Sequence, residues 1–227
     1  MLDMKYTSFV GMHPVPVVHG LTIGEYAQMI NGENWLNNGV QCKLKVITMG
    51  NYNHNMRYTL PIKPSPNLPT MNSIYLYPSV CLFEGTTVSL GRGTEMPFEC
   101  IGKPDYKTGS FTFTPKKIKG VADNPPYEGK QCFGHYLGPF ADNIFKNNPH
   151  MYLSWVIDMY QQDTSKSTFF TPFFDKLAGS DVLRKQIQSG MNEREIKQTW
   201  IPGLKKFYDI RLKYLLYTDF TKSNIIE

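Results

Sequence analysis

The stretch that decides the fold class is Asn148-Pro149-His150-Met151-Tyr152-Leu153-Ser154-Trp155-Val156-Ile157-Asp158-Met159-Tyr160. Its apolar residues Tyr152, Leu153, Val156, Ile157 and Tyr160 recur at the spacing of one helix face, and Pro149 suits a first helical turn. Upstream the chain is punctuated by Pro and Gly, whereas downstream it is not. The sequence therefore predicts a loop-rich α/β part over residues 1–147 and a helical part over residues 148–227, within one domain.

Capping residues and one proline divide the helical part. Ser180 is typical of a helix start and Gly190 of a helix end, which predicts a second helix between them. Asn192 with Glu195 predicts the start of a third helix, and Pro202 is expected to break it and open a last one. Apolar residues on or near one face of that last helix favour a core stripe over a ligand site; they are Leu204, Phe207, Tyr208, Tyr214 and Leu215.

Upstream, one short helix and several strands are predicted. Thr22 followed by Glu25 is a capping box that predicts a helix through Ile30. Residues 41–48 alternate between apolar and polar side chains and predict a half-buried strand with Cys42, Leu44 and Val46 on one face. The other strand candidates are Phe98–Ile101, Phe111–Thr114 and Gln131–Leu137, and residues 51–70, with four prolines, form a loop. The whole pattern predicts an α+β fold in which a loop-rich mixed β-sheet precedes a helical C-terminal third.

The composition excludes several classes of protein. The chain has 227 residues, 41% of them hydrophobic, and a net charge of +5, which is incompatible with intrinsic disorder. No apolar run approaches the roughly 20 residues of a membrane-spanning helix. The first residues lack the features of a signal peptide, so the chain is expected either to be cytoplasmic or to have had its targeting signal removed. The small, evenly spread positive charge argues against a nucleic-acid partner.

Metals, cofactors and disulfides are not expected. Four widely separated cysteines favour free buried thiols over two disulfides; they are Cys42, Cys81, Cys100 and Cys132. The five histidines contain no H-E-x-x-H pattern. The loop Gly91-Arg92-Gly93 lacks the third glycine of a dinucleotide fingerprint and the G-K-[ST] ending of a P-loop.

Glu84 and Arg92 are the strongest candidates for chemistry. An apolar run ends at Glu84, where burial would raise the pKa of the carboxyl group, as a general acid near neutral pH requires. The alternative is that Glu84 only accepts hydrogen bonds from the turn at Thr86. Arg92 between two glycines suits an anion site, because guanidinium binds a carboxylate through two nitrogens, but the same pattern fits a tight turn.

Further polar candidates lie upstream. His13 and His19 occur six residues apart in a proline-stiffened stretch, where even spacing aims them to the same side, able to donate to a sugar hydroxyl or move protons. Arg57 and Asn67 in the proline loop have the hydrogen-bonding ability that sugars require, and solvent exposure explains them equally well. No G-x-S-x-G elbow or cysteine-nucleophile signature is present.

Eight segments together resemble a known family. They are Phe9–Pro14, His19–Glu25, Pro64–Asn67, Tyr77-Pro78, Phe83–Thr86, Gly91–Thr94, Phe174–Ser180 and Arg211–Tyr217. These segments look like those of the NamZ-type exo-β-N-acetylmuramidases, which form glycoside hydrolase family 171 and were earlier a domain of unknown function. The resemblance covers essentially the whole chain in order.

The resemblance implies an enzyme that cleaves N-acetylmuramic acid from the non-reducing end of peptidoglycan fragments, in the bacterial cell envelope or outside the cell. Members carry a Rossmann-like domain ahead of the region seen here. The chain therefore resembles the C-terminal domain alone, with peptidoglycan sugars and the absent Rossmann-like domain as expected partners and an incomplete active site.

The resemblance also implies roles for the candidate residues. Arg92 would bind the lactyl carboxylate of muramic acid, and Glu84 would be a catalytic acid or base or a hydrogen-bonding partner of the sugar. The residues expected around the sugar are His13, His19, Arg57 and Asn67. The alternative is a non-catalytic domain that binds peptidoglycan sugars or docks to a separate Rossmann-like partner.

Overall fold

The computed structural model describes residues 1–147 and 150–220, apart from the side chains of residues 142 and 144–147. Within this part of the chain, eight α-helices and one three-stranded sheet form an α+β fold, which confirms the predicted class. The helices are α1 (Ile23–Gly32), α2 (Met71–Val80), α3 (Gly138–Asn147), α4 (Ser154–Gln162), α5 (Lys166–Phe169), α6 (Pro172–Ala178), α7 (Val182–Gln188) and α8 (Glu193–Leu212). The strands are β1 (Cys100–Lys103), β2 (Phe111–Phe113) and β3 (Cys132–Tyr136).

The described residues fall into two compact units. The first combines Met1–Tyr58 with the residues from Glu195 on, and the second is Thr59–Arg194. This division cuts across the boundary at residue 147 that the density of Pro and Gly suggested. Local composition reports which elements a segment forms, whereas the units follow contacts between segments that are distant in sequence.

The sheet of the second unit is antiparallel. β3 lies in the centre, pairs with β1 on one side and β2 on the other, and both pairings are antiparallel, so the mixed sheet predicted from the sequence is wrong for the described residues. The strands at 111–114 and 131–137 are confirmed as β2 and β3. β1 begins two residues later than predicted, because Phe98 has a φ of +61°, which a strand does not accept.

The helical third is largely as predicted. α4 buries Val156, Ile157 and Tyr160, as the spacing indicated. It begins at Ser154, whose N–H donates to the carboxylate of Glu193; the predicted start at Asn148-Pro149 lies outside the described residues. The predicted helix between residues 180 and 190 is α7.

α8 runs without interruption from Glu193 to Leu212, so the break predicted at Pro202 is wrong. A proline inside a helix removes one hydrogen bond and destabilises it by about 3 kcal/mol. α8 buries Ile196 before the proline and Phe207 and Arg211 after it, and burial on both sides keeps the helix continuous. The predicted core stripe is confirmed only in part. Phe207 is buried, but Leu204 is 38% exposed, and Tyr214 and Leu215 follow the end of the helix.

α1 confirms the predicted capping box. The Thr22 hydroxyl accepts from the Glu25 N–H, and the Glu25 carboxylate accepts from the Thr22 N–H at 2.7 Å. The strand predicted for residues 41–48 is wrong, since this segment pairs with no strand in the part of the chain that the structure describes and is almost entirely exposed. Near α1, the backbone N–H and C=O of Cys42 both form hydrogen bonds with the side-chain amide of Asn31.

Four helices of the second unit, α2, α3, α5 and α6, were not among the predicted elements, although the sequence carries a start signal for α2 and α6. Thr70 and Ser73 form a capping box at the start of α2. α6 begins with Thr171 as its cap and Pro172 in its first turn, and it ends at Gly179 in the left-handed conformation. Both helices pack against the turn that carries Glu84.

Candidate functional site

Glu84 is positioned by a 3-10 turn, Cys81–Gly85, that continues directly from α2. All other residues of the turn are buried, while 26% of the Glu84 side chain remains exposed. Gly85 allows the turn to approach α6, because a Cβ at this position would overlap the backbone of Phe174. The apolar run thus anchors the turn in the core and leaves one carboxylate at the surface of the unit.

Arg92 faces that carboxylate from a loop that requires glycine. Gly91 and Gly93 have φ values of +70° and +85°, a conformation that residues with a Cβ rarely adopt. Nη1 of Arg92 donates to Oε2 of Glu84 at 3.3 Å, and 37% of the Arg92 side chain is exposed. The hydroxyl of Thr86 donates to the carbonyl of Phe83 and not to Glu84, so the carboxylate is directed at the arginine.

Burial dominates the electrostatics of Glu84. Loss of solvent raises the pKa of the Glu84 carboxyl group, and the Arg92 guanidinium lowers it by a smaller amount, so the net pKa is above its ordinary value. Burial also raises the pKa of Tyr77, and it raises the pKa of Cys81 to about 12. Both neighbours are therefore neutral near neutral pH, and Arg92 supplies the local charge.

Glu84 and Arg92 line one cleft of about 410 Å³. Its apolar wall includes Phe83, Val88 and Leu90, and the opposite wall is the loop from Val121 to Pro126. The wall loop contributes a second carboxylate, Asp123, which is exposed. A cleft with a guanidinium, two carboxylates and an apolar floor has the composition expected for a small polar ligand.

Asn67 supports this cleft through a hydrogen bond to Val121, one of the residues that line it. Its side-chain Nδ2 donates to the carbonyl of Val121 at 3.0 Å, and its own N–H donates to the Ser65 hydroxyl. The Asn67 Oδ1 atom is buried and has no hydrogen-bond partner among the described residues. The sequence identified Asn67 as a polar candidate, and the structure places its amide on the backbone of the cleft wall.

His13 and His19 lie in the first unit, on either side of Tyr26 of α1. Nδ1 of His13 is 2.9 Å from the Tyr26 hydroxyl, and the His19 ring stacks on the Tyr26 ring with centroids 5.0 Å apart. Burial lowers the pKa of both imidazoles, and Arg211 lowers that of His19 further. Both histidines thus contact the same tyrosine. Arg57, also in the first unit, is exposed.

The most buried ion pair of the first unit joins two residues not proposed as site residues, Glu25 and His54. Nε2 of His54 donates to Oε1 of Glu25 at 2.9 Å, and the same oxygen accepts from the N–H of Leu216 at 2.8 Å. Burial alone would raise the pKa of Glu25, but the hydrogen bonds from Leu216, Thr22 and His54 together hold it below its ordinary value. The capping box marks Glu25 in the sequence, whereas no local signal marks His54.

The described residues contain neither a metal-binding cluster nor a membrane-spanning helix. No group of three or more His, Cys, Asp or Glu side chains in residues 1–147 and 150–220 is arranged to hold a metal ion. In the same residues, no helix combines the length and the apolar composition needed to cross a bilayer. All four cysteines are free, and three of them are buried as expected while Cys42 is exposed.

Comparison with family models identifies the chain. Residues 75–217 match the C-terminal model of the exo-β-N-acetylmuramidase NamZ, and this is more than half of the sequence. The chain belongs to the NamZ family. Residues 1–72 match the N-terminal model of the same family. The chain therefore matches parts of both family models, whereas the sequence segments suggested the C-terminal domain alone.

A curated NamZ relative and two solved structures extend this finding. The chain is 34% identical to the peptidoglycan β-N-acetylmuramidase NamZ of Bacillus subtilis over 96% of its own length and 55% of the relative's. A DUF1343 family protein from Bacteroides fragilis shares 48% identity with a TM-score of 0.92, covering 96% of this chain and 62% of that one.

A second DUF1343 protein from Bacteroides fragilis has the same fold at 21% identity, with a TM-score of 0.71 over 96% of this chain and 61% of that one. The chain thus spans about half the length of the curated NamZ relative and about three fifths of the two solved chains.

Proposed function

We propose that this NamZ-family chain supplies the substrate-binding part of an exo-β-N-acetylmuramidase that removes terminal N-acetylmuramic acid from peptidoglycan fragments. The observation that supports this proposal is the Glu84–Arg92 pair on one cleft. The name of the Bacillus subtilis relative supplies the peptidoglycan substrate and the cell-wall role.

Arg92 is the proposed ligand of the lactyl carboxylate. N-acetylmuramic acid differs from N-acetylglucosamine by this group, so a cation in the cleft would distinguish the two sugars. Arginine has five N–H donors, and the hydrogen bond to Glu84 from Nη1 leaves others for a second carboxylate. The partial exposure of the side chain permits such a contact without unfolding the loop.

Glu84 is the proposed catalytic acid or base. Its raised pKa favours a protonated fraction nearer neutral pH than an exposed glutamate has. Glycoside hydrolysis usually requires two carboxyl groups about 5–5.5 Å apart for retention or about 6.5–9.5 Å apart for inversion. We propose that the second group comes from the Rossmann-like domain of the family, and that His13 and His19 bind sugar hydroxyls.

A non-catalytic function is supported by one observation, which is that Arg92 already bonds to Glu84, a half-buried carboxylate of the cleft. In that case the chain would bind muramic acid without cleaving it. Asp123 is the other carboxylate of the described cleft, and it would be the second catalytic group if the chain acted alone.

The test measures release of N-acetylmuramic acid from a muramic acid-terminated disaccharide. The chain is assayed alone and with the Rossmann-like domain of the Bacillus subtilis relative, and turnover is expected only in the mixture. Glu84→Gln should abolish that turnover, whereas Asp123→Asn should leave it intact. Turnover by the chain alone that Asp123→Asn removes would overturn the shared site, and full activity of Glu84→Gln would exclude Glu84 from the chemistry.

A further inference from the structure

Tyr77 carries an exposed aromatic ring on the same helix face as Glu84. α2 continues directly into the turn Cys81–Gly85, and Tyr77 and Glu84 are seven residues apart, the spacing that returns to one face of a helix. Along the helix axis this spacing is about 10 Å. Tyr77 is 37% exposed, although the preceding residue, Leu76, is fully buried. The ring is therefore open to a ligand that reaches past Glu84.

Both charged groups of the candidate site act on Tyr77. Burial is the main cause of the raised pKa of its phenol, the neighbouring Cys81 and Glu84 raise it further, and Arg92 lowers it. Such effects indicate short separations, because water and salt screen charges at longer distances. Tyr77 is not among the residues that line the cleft of about 410 Å³, so it lies beside this cleft and extends the surface around the Glu84–Arg92 pair.

Phe98 holds the Tyr77 ring from below. The two rings are in contact, with centroids 5.3 Å apart and planes tilted by 49°. Phe98 is 3% exposed and has a φ of +61°, a conformation that is rare for a bulky residue and persists only where its surroundings hold it. Its N–H donates to the carbonyl of Leu90 at 2.7 Å, and Leu90 belongs to the apolar wall of the cleft. The orientation of the Tyr77 ring is thus fixed relative to the cleft.

The chemistry of this ring suits one face of a sugar. A pyranose presents C–H groups on its faces and hydroxyls around its edge, and tyrosine combines an apolar ring with one polar group. The Tyr77 phenol stays neutral near neutral pH, so it forms hydrogen bonds without adding charge. Ligand sites are typically lined by aromatic side chains with a few placed polar groups. A neutral sugar unit therefore matches Tyr77, whereas a carboxylate matches Arg92.

We propose that Tyr77 binds the second sugar of the substrate, the unit that follows the terminal N-acetylmuramic acid and leaves when the bond between them is hydrolysed. The inference rests on the proposed function, which assigns the terminal sugar to Glu84 and Arg92. With the lactyl carboxylate on Arg92 and the bond between the sugars at Glu84, the second sugar extends out of the cleft onto the Tyr77 ring. Tyr77 would then determine how strongly the chain prefers a disaccharide to a monosaccharide.

Isothermal titration calorimetry tests this preference with two ligands, N-acetylmuramic acid and a disaccharide of N-acetylmuramic acid and N-acetylglucosamine. The disaccharide should bind the wild-type chain about tenfold more tightly than the monosaccharide. Tyr77→Leu should abolish this difference and leave the affinity for the monosaccharide unchanged. Tyr77→Phe should retain most of the difference, because the ring is kept. Equal losses of affinity for both ligands in Tyr77→Leu would indicate a purely structural role and overturn the proposal.

Tyr136 provides the matched control. It is also 37% exposed, and its ring contacts Phe111 with centroids 5.5 Å apart and planes tilted by 34°. Its electrostatic neighbours are Glu99 and Cys100 instead of the Glu84–Arg92 pair. Tyr136→Leu should therefore leave the preference for the disaccharide unchanged. A loss of this preference as large as that in Tyr77→Leu would contradict a specific role of Tyr77.

Two further outcomes remain decisive. If Tyr77→Leu does not fold, NMR of the wild-type chain with labelled tyrosine rings decides the question. The Tyr77 ring signals should shift with the disaccharide and not with the monosaccharide, and unchanged signals with both would overturn the proposal. A chain that binds the monosaccharide and gains nothing from the second sugar would overturn this inference alone, whereas a chain that binds neither ligand would overturn the proposed function as well.

Discussion

Arg92 donates a hydrogen bond from Nη1 to Oε2 of Glu84 across 3.3 Å, and both side chains line the same cleft. The two residues were separate candidates in the sequence, eight positions apart. Their contact makes them one electrostatic unit, because a ligand carboxylate that binds Arg92 also changes the charge that Glu84 experiences. Under the proposed function, sugar specificity and the acid strength of Glu84 would therefore be linked at one site.

Arg92→Lys should weaken binding of N-acetylmuramic acid by roughly tenfold or more, because lysine cannot bind a carboxylate through two nitrogens. Binding of N-acetylglucosamine should change little, since that sugar has no lactyl group. Isothermal titration calorimetry with both monosaccharides measures the difference. An equal loss of affinity for both sugars would argue against the lactyl assignment.

The raised pKa of Glu84 predicts the pH dependence of stability. A carboxyl group whose pKa is raised by folding contributes stability that is fully present below the unfolded pKa and is lost as the pH rises through the folded pKa. The unfolding free energy of Glu84→Gln relative to wild type should therefore increase between about pH 3.5 and about pH 7.5 in urea titrations. A difference that stays constant or falls as the pH rises would refute the assignment.

The opposite pH dependence of stability is expected for Glu25. Burial raises the pKa of this carboxyl group, but hydrogen bonds from Leu216, Thr22 and His54 lower it below its ordinary value. Its contribution is present above the unfolded pKa and is lost as the pH falls through the folded pKa. Glu25→Gln should lower the unfolding free energy by about 1–3 kcal/mol at neutral pH and by less in acid. Glu33→Gln, at the residue that follows the end of the same helix and is bonded at the surface to Lys213, should have a smaller effect. An equal loss in the two variants would contradict this ranking.

Gly85→Ala should destabilise the second unit by about 1–3 kcal/mol, because the added Cβ would overlap backbone atoms of Phe174 that cannot move independently. Gly50→Ala is the control, since a Cβ there meets nothing within 4 Å and its effect should stay within about 0.5 kcal/mol. Thermal and urea unfolding measure both variants. Equal stability of the two would show that the turn carrying Glu84 can shift.

The two histidines on Tyr26 should be neutral at physiological pH. Burial lowers the pKa of His13 and His19, so both should titrate below the ordinary histidine value in NMR experiments. The Leu21 N–H donates to Nδ1 of His19 at 3.2 Å, which leaves the proton of the neutral ring on Nε2. Arg211→Gln should raise the pKa of His19 and leave that of His13 unchanged. No change at His19 would contradict the contribution of Arg211.

The sequence predicted what depends on neighbours along the chain. The capping box of Thr22 and Glu25 and the helical spacing of α4 are local patterns, and both are confirmed. The break predicted at Pro202 is wrong because residues buried on both sides of the proline stabilise the helix by more than the proline destabilises it. The strand pattern of residues 41–48 describes a preference that needs a partner edge, and the described chain provides none.

The candidate site was predictable in part for the same reason. The apolar run before Glu84 and the glycines around Arg92 identified both residues, but nothing in the sequence indicated that they bond to each other. Glu25 was recognised as a cap, whereas its contact with Leu216 joins positions 191 residues apart. Asn67 was chosen for its amide, and only the structure shows that this amide holds Val121.

The first unit is assembled from two stretches at opposite ends of the sequence, and this affects how the protein folds. Arg211 donates to the carbonyl of Gly20, the Leu216 N–H to Glu25 and the His54 N–H to Thr218, so its contacts close very long loops. Contacts of high sequence separation slow folding, and here they cannot form until the ribosome has synthesised residues 211–218. The second unit is continuous in sequence and is free to fold first, and residues 1–58 lack these long-range contacts during that interval.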